Sequence, residues 1–355
     1  MQKYNVIGLM SGTSLDGLDV TYCTFLFDKG KWSYTIDDAE TIKYSKNWSR
    51  KLKEAHLLSG EELMQLHGDY GALLGEKVLH FMKEYKIRHI DFVASHGHTI
   101  FHNPEKGFTF QLGNGASLAA ACGIKTVCDF RVMDVALKGQ GAPLVPIGDK
   151  LLFPEYNFCL NLGGFSNISY EHKGNRIAFD ICPVNTALNY LALAKGKMYD
   201  KDGKMAESGK IKKELLVELN ALKYYHKSYP KSLGREWLST YFLPLIDKYT
   251  IPAEDKLATV VEHVAFQISQ AIQNTAKKGK LLVSGGGANN KFLVSRLMEK
   301  LPAHEVIVPS PNLVNYKEAL VFAFLGVLKM EQKINALKSV TGAIKNSSGG
   351  VVFIP

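Results

Sequence analysis

A strand that runs into a turn of glycines and small polar residues occurs three times in this 355-residue chain, and that repetition limits its possible folds more than any other feature. The apolar run 4–9 leads into Met10-Ser11-Gly12-Thr13-Ser14-Leu15-Asp16-Gly17, and 158–162 leads into Gly163-Gly164-Phe165-Ser166-Asn167. Residues 280–283 lead into Ser284-Gly285-Gly286-Gly287-Ala288-Asn289-Asn290. After the first turn, 18–27 and 32–36 onward read as further strands, rich in β-branched and aromatic residues. A helix opens at Ser59 with Glu62 three residues later, the spacing of a capping box. Its apolar positions Leu63, Leu66, Tyr70, Leu73, Val78, Phe81 and Tyr85 recur at helical intervals. The strand 90–94 then runs into the polar cluster Ser95-His96-Gly97-His98-Thr99, and 108–112, a small-residue helix after Asn114 and 125–128 complete a first α/β unit. Beyond the connection 138–146, strands are expected at 158–162, 168–170 and 176–179, helices over 184–276, then strand, helix, strand (305–308) and helix (317–329). Both halves share one plan, which predicts an internal duplication with a ligand held in the cleft between the halves.

Composition narrows the function classes. With 46% hydrophobic and 22% charged residues the chain can bury a full core, which excludes a disordered polypeptide. The length predicts about two domains. No apolar stretch approaches a membrane span, and no charged-then-apolar leader opens the sequence. The five cysteines, Cys23, Cys122, Cys128, Cys159 and Cys182, are scattered without a CxxC pair, which predicts neither a disulfide framework nor a thiolate metal centre and fits a reducing cytoplasm. A net charge of +9 invites a nucleic-acid reading, but the lysines are dispersed and no nucleic-acid motif accompanies them. A basic surface favouring anionic small ligands is the expectation.

The polar turns carry the chemistry. Gly12 and Gly17 allow tight turns, and consecutive amides with the Ser11, Thr13 and Ser14 hydroxyls suit phosphate oxygens. Asp16 suits Mg²⁺ held through water. No Gly-Lys-Ser/Thr follows, so this is not a Walker A loop, and the strand after Gly17 argues against a dinucleotide fingerprint; a plain hairpin turn remains the alternative. The 284–290 turn ends a strand and opens a helix, so its amides suit an anion or nucleotide. Asp180, at the mouth of the strand 176–179, is a candidate general base, with a helix cap as the alternative. Asp129, Arg131 and Asp134 lie just past 126–128, beside Gly139-Gln140-Gly141-Ala142-Pro143. His96 and His98 lack a third metal ligand, Cys182 lacks a partner base, and the acidic spacing in 198–209 does not fit an EF-hand.

Eight ordered blocks over nearly the whole chain resemble the anhydro-N-acetylmuramic acid kinase family of the actin/hexokinase-like superfamily. They are GLMSGTSLDGLD at 8–19, SHGHTIFH at 95–102, DFRVMDVALKGQGAPLVP at 129–146, NLGGFSNIS at 161–169, FDICPVN at 179–185, DGKMAESG at 202–209, SGGGANN at 284–290 and KEALVFAFLG at 317–326. The resemblance implies two RNase H-like α/β lobes with mixed sheets flanked by helices, here expected at 1–130 with 340–355 and at 131–339. It implies a cytoplasmic homodimer that uses ATP and Mg²⁺ to convert 1,6-anhydro-N-acetylmuramic acid and water into N-acetylmuramic acid 6-phosphate in peptidoglycan recycling, without nucleic-acid or membrane partners. Ser11, Gly12, Thr13, Ser14, Leu15, Asp16, Gly17 and Leu18 would form the ATP phosphate loop, with Gly163, Gly164, Gly285, Gly286, Gly287 and Asn289 also at the nucleotide. Asp180 matches the base that activates water against C1 while O6 of the opening bridge takes the γ-phosphoryl group. Arg131 would meet the lactyl carboxylate, and His96, Thr99, Asp129, Asn185 and Glu318 would contact the sugar.

Two positions depart from the family pattern. Cys182 and Val184 replace glycines of the commoner FDxGPGN, and His98 stands where SHGQT has glutamine. The competing expectations are a kinase of the same fold for another sugar or a carboxylate, a non-metabolic actin-like ATPase, and a glycosidase. The last would call for two flanking carboxylates and no nucleotide loop.

Overall fold

In the computed structural model of the chain, which describes residues 1–12 and 15–355, the N-terminal apolar run becomes the strand β1 (Gln2–Ser11). Val6, Ile7, Gly8 and Leu9 are buried in succession, the pattern of a strand covered on both faces. β2 (Leu18–Asp28) and β3 (Lys31–Ile42) fold back antiparallel, with Ser11 paired to Leu18, so residues 12–17 link β1 to β2. β4 (Phe92–Asn103) runs parallel to β1 on its other side; β5 (Phe108–Leu112) pairs antiparallel with β4, and β6 (Thr126–Cys128) runs parallel beyond it.

The second sheet repeats this plan. β7 (Phe158–Leu162), β8 (Phe165–His172) and β9 (Asn175–Pro183) form an antiparallel meander, and β10 (Gly279–Ser284) and β11 (His304–Ile307) continue parallel to β7. Finally β12 (Val351–Phe353) pairs with β6 in the first sheet. The common order, β3-β2-β1-β4-β6 in one sheet and β9-β8-β7-β10-β11 in the other, is the duplication expected from the sequence, and it makes this an α/β fold with two RNase H-like mixed sheets.

The chain divides into two units, 1–153 with 316–355 and 154–315, a division that differs from the expected one. Residues 131–153 and 316–339 join the first unit rather than the second. The reason is packing that sequence spacing does not reveal. The helix Val145–Leu152 carries Asp149, which is ion-paired to Lys317 of the helix Pro311–Met330. Gly8 of β1 lies so close to Ala319 of that helix that a Cβ would strike the Ala319 carbonyl.

Each unit has its own apolar core. In the first, β1, β2 and β4 pack on Leu66, Tyr70, Leu74, Val78 and Phe81 of the helix Gly60–Glu84. The capping box holds: Ser59 N–H donates to Glu62 Oε2 at 2.9 Å and Glu62 N–H to Ser59 Oγ at 3.4 Å. In the second, the helix Ala253–Gln273 buries Leu257, Val261, Val264 and Ile268 against the sheet. The helices Lys46–Glu54 and Val145–Leu152 were not expected; the former is mostly polar and buries only Leu52. All five cysteines are free thiols and buried. Among the described residues no helix is long and apolar enough to cross a membrane.

Candidate active site

The first unit gathers its polar residues where β1 ends beside the middle of β4. The cluster Ser95–Thr99, expected to follow a strand, lies inside β4, which takes up one extra residue there: Leu9 pairs with Ser95, but Ser11 with His98. Gly97 absorbs this irregularity with φ of 73°. Ser11 Oγ lies 2.9 Å from His98 Nδ1 and accepts from the Tyr44 hydroxyl at 2.8 Å. Its side chain is therefore engaged inward, and its backbone is paired with Leu18 on one side and His98 on the other. Of the remaining loop, Thr13 and Ser14 lie outside the described residues. Leu15 donates its N–H to the Gly12 carbonyl at 3.2 Å and holds φ of 62°, a strained value for a branched residue, with its side chain packed on the first core. Asp16 is exposed and Gly17 and Leu18 are buried.

Arg131 and His96 form one unit. Arg131 Nε and Nη2 both reach His96 Nε2, at 3.1 and 3.0 Å, and Nη1 donates to the Gly141 carbonyl at 2.7 Å. His96 Nδ1, 2.9 Å from the Gly97 carbonyl, must then carry the ring hydrogen, so the imidazole is neutral. Burial and the adjacent guanidinium hold its pKa well below the ordinary value. Burial also lowers Arg131 to about 10, against the pull of Glu318 and Asp134. After these bonds Arg131 keeps one hydrogen on each terminal nitrogen for a ligand, whereas His96 has none to offer. Glu318 is raised by the surrounding protein, with Arg131 and Lys317 opposing. Asp129, at φ 57°, accepts a weak bond from Cys128 Sγ. Thr99 pairs across strands with Gln111, whose amide donates to Thr99 Oγ1 at 3.4 Å and Thr109 Oγ1 at 2.9 Å.

One carboxylate in this unit, Asp19, is acted on by two others. Asp19 is raised to about 6 by burial, opposed by its 2.6 Å bond from Thr41 and reinforced by Glu318 and Asp16. The sequence block 8–19 ends on Asp19, but nothing there shows its raised pKa, which comes first from burial and then from Glu318, 299 residues away, and Asp16. Among the described residues no group of three His, Cys, Asp or Glu is placed to hold a metal directly.

In the second unit, Asp180 sits where β9 takes up an extra residue: Asn167 pairs with Asp180 but Ser166 with Cys182. The segment 224–233 grips it. Leu233 N–H donates to Asp180 Oδ2 at 2.9 Å, Tyr224 OH to the Asp180 carbonyl at 2.7 Å, and Asp180 N–H to the Lys231 carbonyl at 3.3 Å. Burial raises the carboxyl, and the Leu233 bond opposes this. Among the described residues Oδ1 accepts no hydrogen bond. Asp180 does not cap the helix Asn185–Leu193, which begins five residues on. Cys182 is pushed up to about 12 by burial and faces Ser166 Oγ at 3.2 Å, so it packs rather than reacts.

The glycine turns of this unit meet. Val184 N–H donates to the Gly164 carbonyl, Asn185 N–H to the Gly163 carbonyl, and the Asn185 amide to the Leu162 carbonyl at 3.3 Å. Asn185 therefore belongs with the glycine turn. Gly285 holds φ of 81° against Asn161 and Leu162; Gly286 and Asn289 are exposed and Gly287 is buried. The short turn Gly286–Asn289 precedes the helix Lys291–Lys300, whose cap is Asn290, accepting from Leu293 N–H at 3.0 Å. Sequence reasoning missed Tyr44, Tyr70, Gln111, Tyr224 and Leu233, whose roles arise from pairing across the fold.

Comparison with known proteins bears on the whole chain. A family model described as anhydro-N-acetylmuramic acid kinase matches residues 4–355. The anhydro-N-acetylmuramic acid kinase of Aliivibrio fischeri is 40% identical over 99% of both chains, and that of Mannheimia succiniciproducens 36% identical over 99% of this chain and 100% of its own. Among solved structures, the activator of the 2-hydroxyisocaproyl-CoA dehydratase from Clostridium difficile with bound ADPNP is 12% identical, at a TM-score of 0.46 over 92% of this chain and 97% of that one. That last likeness is too low to carry an assignment. The full-length match establishes that the chain belongs to the anhydro-N-acetylmuramic acid kinase family.

Proposed function

We propose that this protein is an ATP-dependent anhydro-sugar kinase that converts 1,6-anhydro-N-acetylmuramic acid, ATP and water into N-acetylmuramic acid 6-phosphate and ADP. Beyond the family, the observation that carries the reading is Asp180. Its carboxylate is fixed through one oxygen by the Leu233 amide, raised by burial, and left with Oδ1 open. A carboxylate so placed can take a proton from water. The water oxygen bonds to C1 of the sugar as its proton passes to Oδ1. The C1–O6 bond breaks, and O6 bonds to the γ-phosphorus as the bond to the β-phosphate oxygen breaks and ADP leaves. The ATP phosphates are assigned to backbone amides of the 11–18 loop, and the glycine turns at 163–164 and 285–287 to the nucleotide. Arg131 meets the sugar carboxylate through its two remaining hydrogens, with Glu318, Thr99 and Asp129 as polar neighbours in the same unit.

Asp16 is the candidate for holding Mg²⁺ through water, and Asp19, raised to about 6 by burial with Glu318 and Asp16 adding to the rise, is its acidic neighbour. Mg²⁺ bound there through water would neutralise the phosphate chain. Buried free cysteines suit a reducing cytoplasm, and family membership favours a homodimer, which light scattering would report as twice 39.4 kDa.

The test is a mass-spectrometric assay in ¹⁸O-labelled water with ATP, Mg²⁺ and the anhydro-sugar, native protein against Asp180→Asn. The expected product gains one phosphate and one ¹⁸O at C1, and the variant makes none. ATP hydrolysed equally by both proteins, with no sugar product, would overturn the reading. Because burial raises Asp180, kcat/KM should climb with pH through a midpoint above the ordinary carboxylate range.

A further inference from the structure

The hydroxyl of Ser11 lies at the centre of a cluster with three side chains from separate parts of the first unit. His98 comes from β4, Tyr44 from the link after β3, and Tyr70 from the helix Gly60–Glu84. The Tyr44 and Tyr70 hydroxyls are 2.6 Å apart, and the side chains of Ser11, His98 and Tyr70 are almost entirely shielded from solvent.

Hydrogen counting gives this chain a direction. Each hydroxyl has one hydrogen to donate. Tyr44 spends its own on Ser11, so Tyr70 must donate to Tyr44. The Ser11 hydrogen is then placed to go to His98 Nδ1 at 2.9 Å. Burial holds His98 near 4, so the ring is neutral at physiological pH and carries a single hydrogen, on Nε2. The opposite tautomer would aim a second donor at the Ser11 oxygen, which already accepts from Tyr44, and leave a bare buried nitrogen at Nε2, so the order Tyr70 to Tyr44 to Ser11 to His98 leaves fewer groups unmet.

We propose that His98 is a positioning residue for nucleotide binding: it accepts the Ser11 hydroxyl and so fixes the residue from which the 12–17 loop springs. This rests on the reading of that loop as the phosphate loop. The residue type follows from the geometry. A glutamine at 98 can also accept from Ser11 through its Oε1, whereas leucine cannot, and a buried donor left unmet costs far more than one exchanged for another partner.

The experiment compares native protein with His98→Leu, His98→Gln and Tyr44→Phe. It measures Kd for a non-hydrolysable ATP analogue by calorimetry, KM for ATP and for the sugar, and kcat. His98→Leu should raise Kd and KM for ATP about tenfold, equivalent to roughly 1.4 kcal/mol, with KM for the sugar unchanged. His98→Gln should stay within about twofold of native, and Tyr44→Phe should weaken nucleotide binding by about fivefold, the scale of one hydrogen bond. His98→Leu binding the analogue as tightly as native would overturn the proposal, as would His98→Gln impaired as severely as His98→Leu with both KM values rising together. Should His98→Leu fail to fold, Tyr44→Phe decides, and native-like Kd there refutes it. Native protein that binds nucleotide but makes no sugar phosphate would refute the proposed function and leave this inference standing.

Discussion

Lys317→Met should unfold the first unit's helix packing more readily than its surface neighbours suggest. Lys317 Nζ lies 2.6 Å from Asp149 Oδ1, and the two side chains are only 6% and 5% exposed. The ammonium also sits 5.4 Å over the Phe153 ring. Removing one partner of such a pair leaves a buried charge without its counter-ion, which costs about 3–5 kcal/mol. For a unit of this size each kcal/mol moves Tm by about 2–4 °C, so the expected drop is about 6–20 °C. The pair joins the helix Val145–Leu152 to the helix Pro311–Met330, which also carries Glu318, so kcat should fall along with stability. Urea unfolding followed by circular dichroism provides the measurement. The companion variant, Lys317→Met with Asp149→Leu, removes both charges and should recover most of the loss, since a buried pair replaced by apolar groups is often neutral or stabilising. A single variant within about 1 kcal/mol of native, or a double variant no better than the single, would refute the reasoning.

Asp19→Asn should stabilise the protein. Folding lifts Asp19 from 3.8 to about 6, so the native state holds the proton more tightly and pays for ionisation; the penalty is absent below about pH 4 and complete above about pH 6. Two units correspond to roughly 3 kcal/mol, reduced to about 1–3 because Asp19 is partly open to solvent. Thermal melts should place the variant above native at pH 8 and level with it at pH 4, while its Mg²⁺-dependent turnover falls; equal melting at pH 8 would contradict the assignment. Gly285→Ala puts a Cβ at φ 81° into Asn161 Oδ1 and 2.9 Å from the Leu162 carbonyl, and should cost at least about 2 kcal/mol and weaken nucleotide binding. Gly286→Ala, whose Cβ would meet nothing nearer than 3.7 Å, should fall within about 0.5 kcal/mol of native in the same titration. Equal losses in the two would show that close packing is not why position 285 is glycine.

Much of the site was legible because its signals are local. Short turn residues between apolar runs mark where strands end, and the loops 12–17 and 284–290 follow from that alone. The capping box at Ser59 and Glu62 needs only four residues, and it formed as the spacing predicts. Asp180 was legible for the same reason: a carboxylate at a strand end is visible without knowing what the strand pairs with.

The rest depended on partners distant in sequence. The extra residue in β4 decides that His98, not Gly97, stands opposite Ser11, and no local pattern records a register. The bulge beside Asp180 is of the same kind, and so are the Leu233 and Tyr224 bonds that orient it across more than 40 residues. Arg131 looked free to meet a ligand, but the fold spends most of its donors on His96 and Gly141. The unit boundaries moved because the helix Pro311–Met330 returns to β1, a closure dictated by the buried Gly8 contact and the Lys317–Asp149 pair. By itself, then, the sequence determined the elements, their duplicated order and the residue types at the turns, since turn chemistry and hydrophobic period act between neighbours. Only the tertiary structure decided which side chains face one another, because register, burial and the pKa shifts they cause are properties of pairs that the chain brings together by folding.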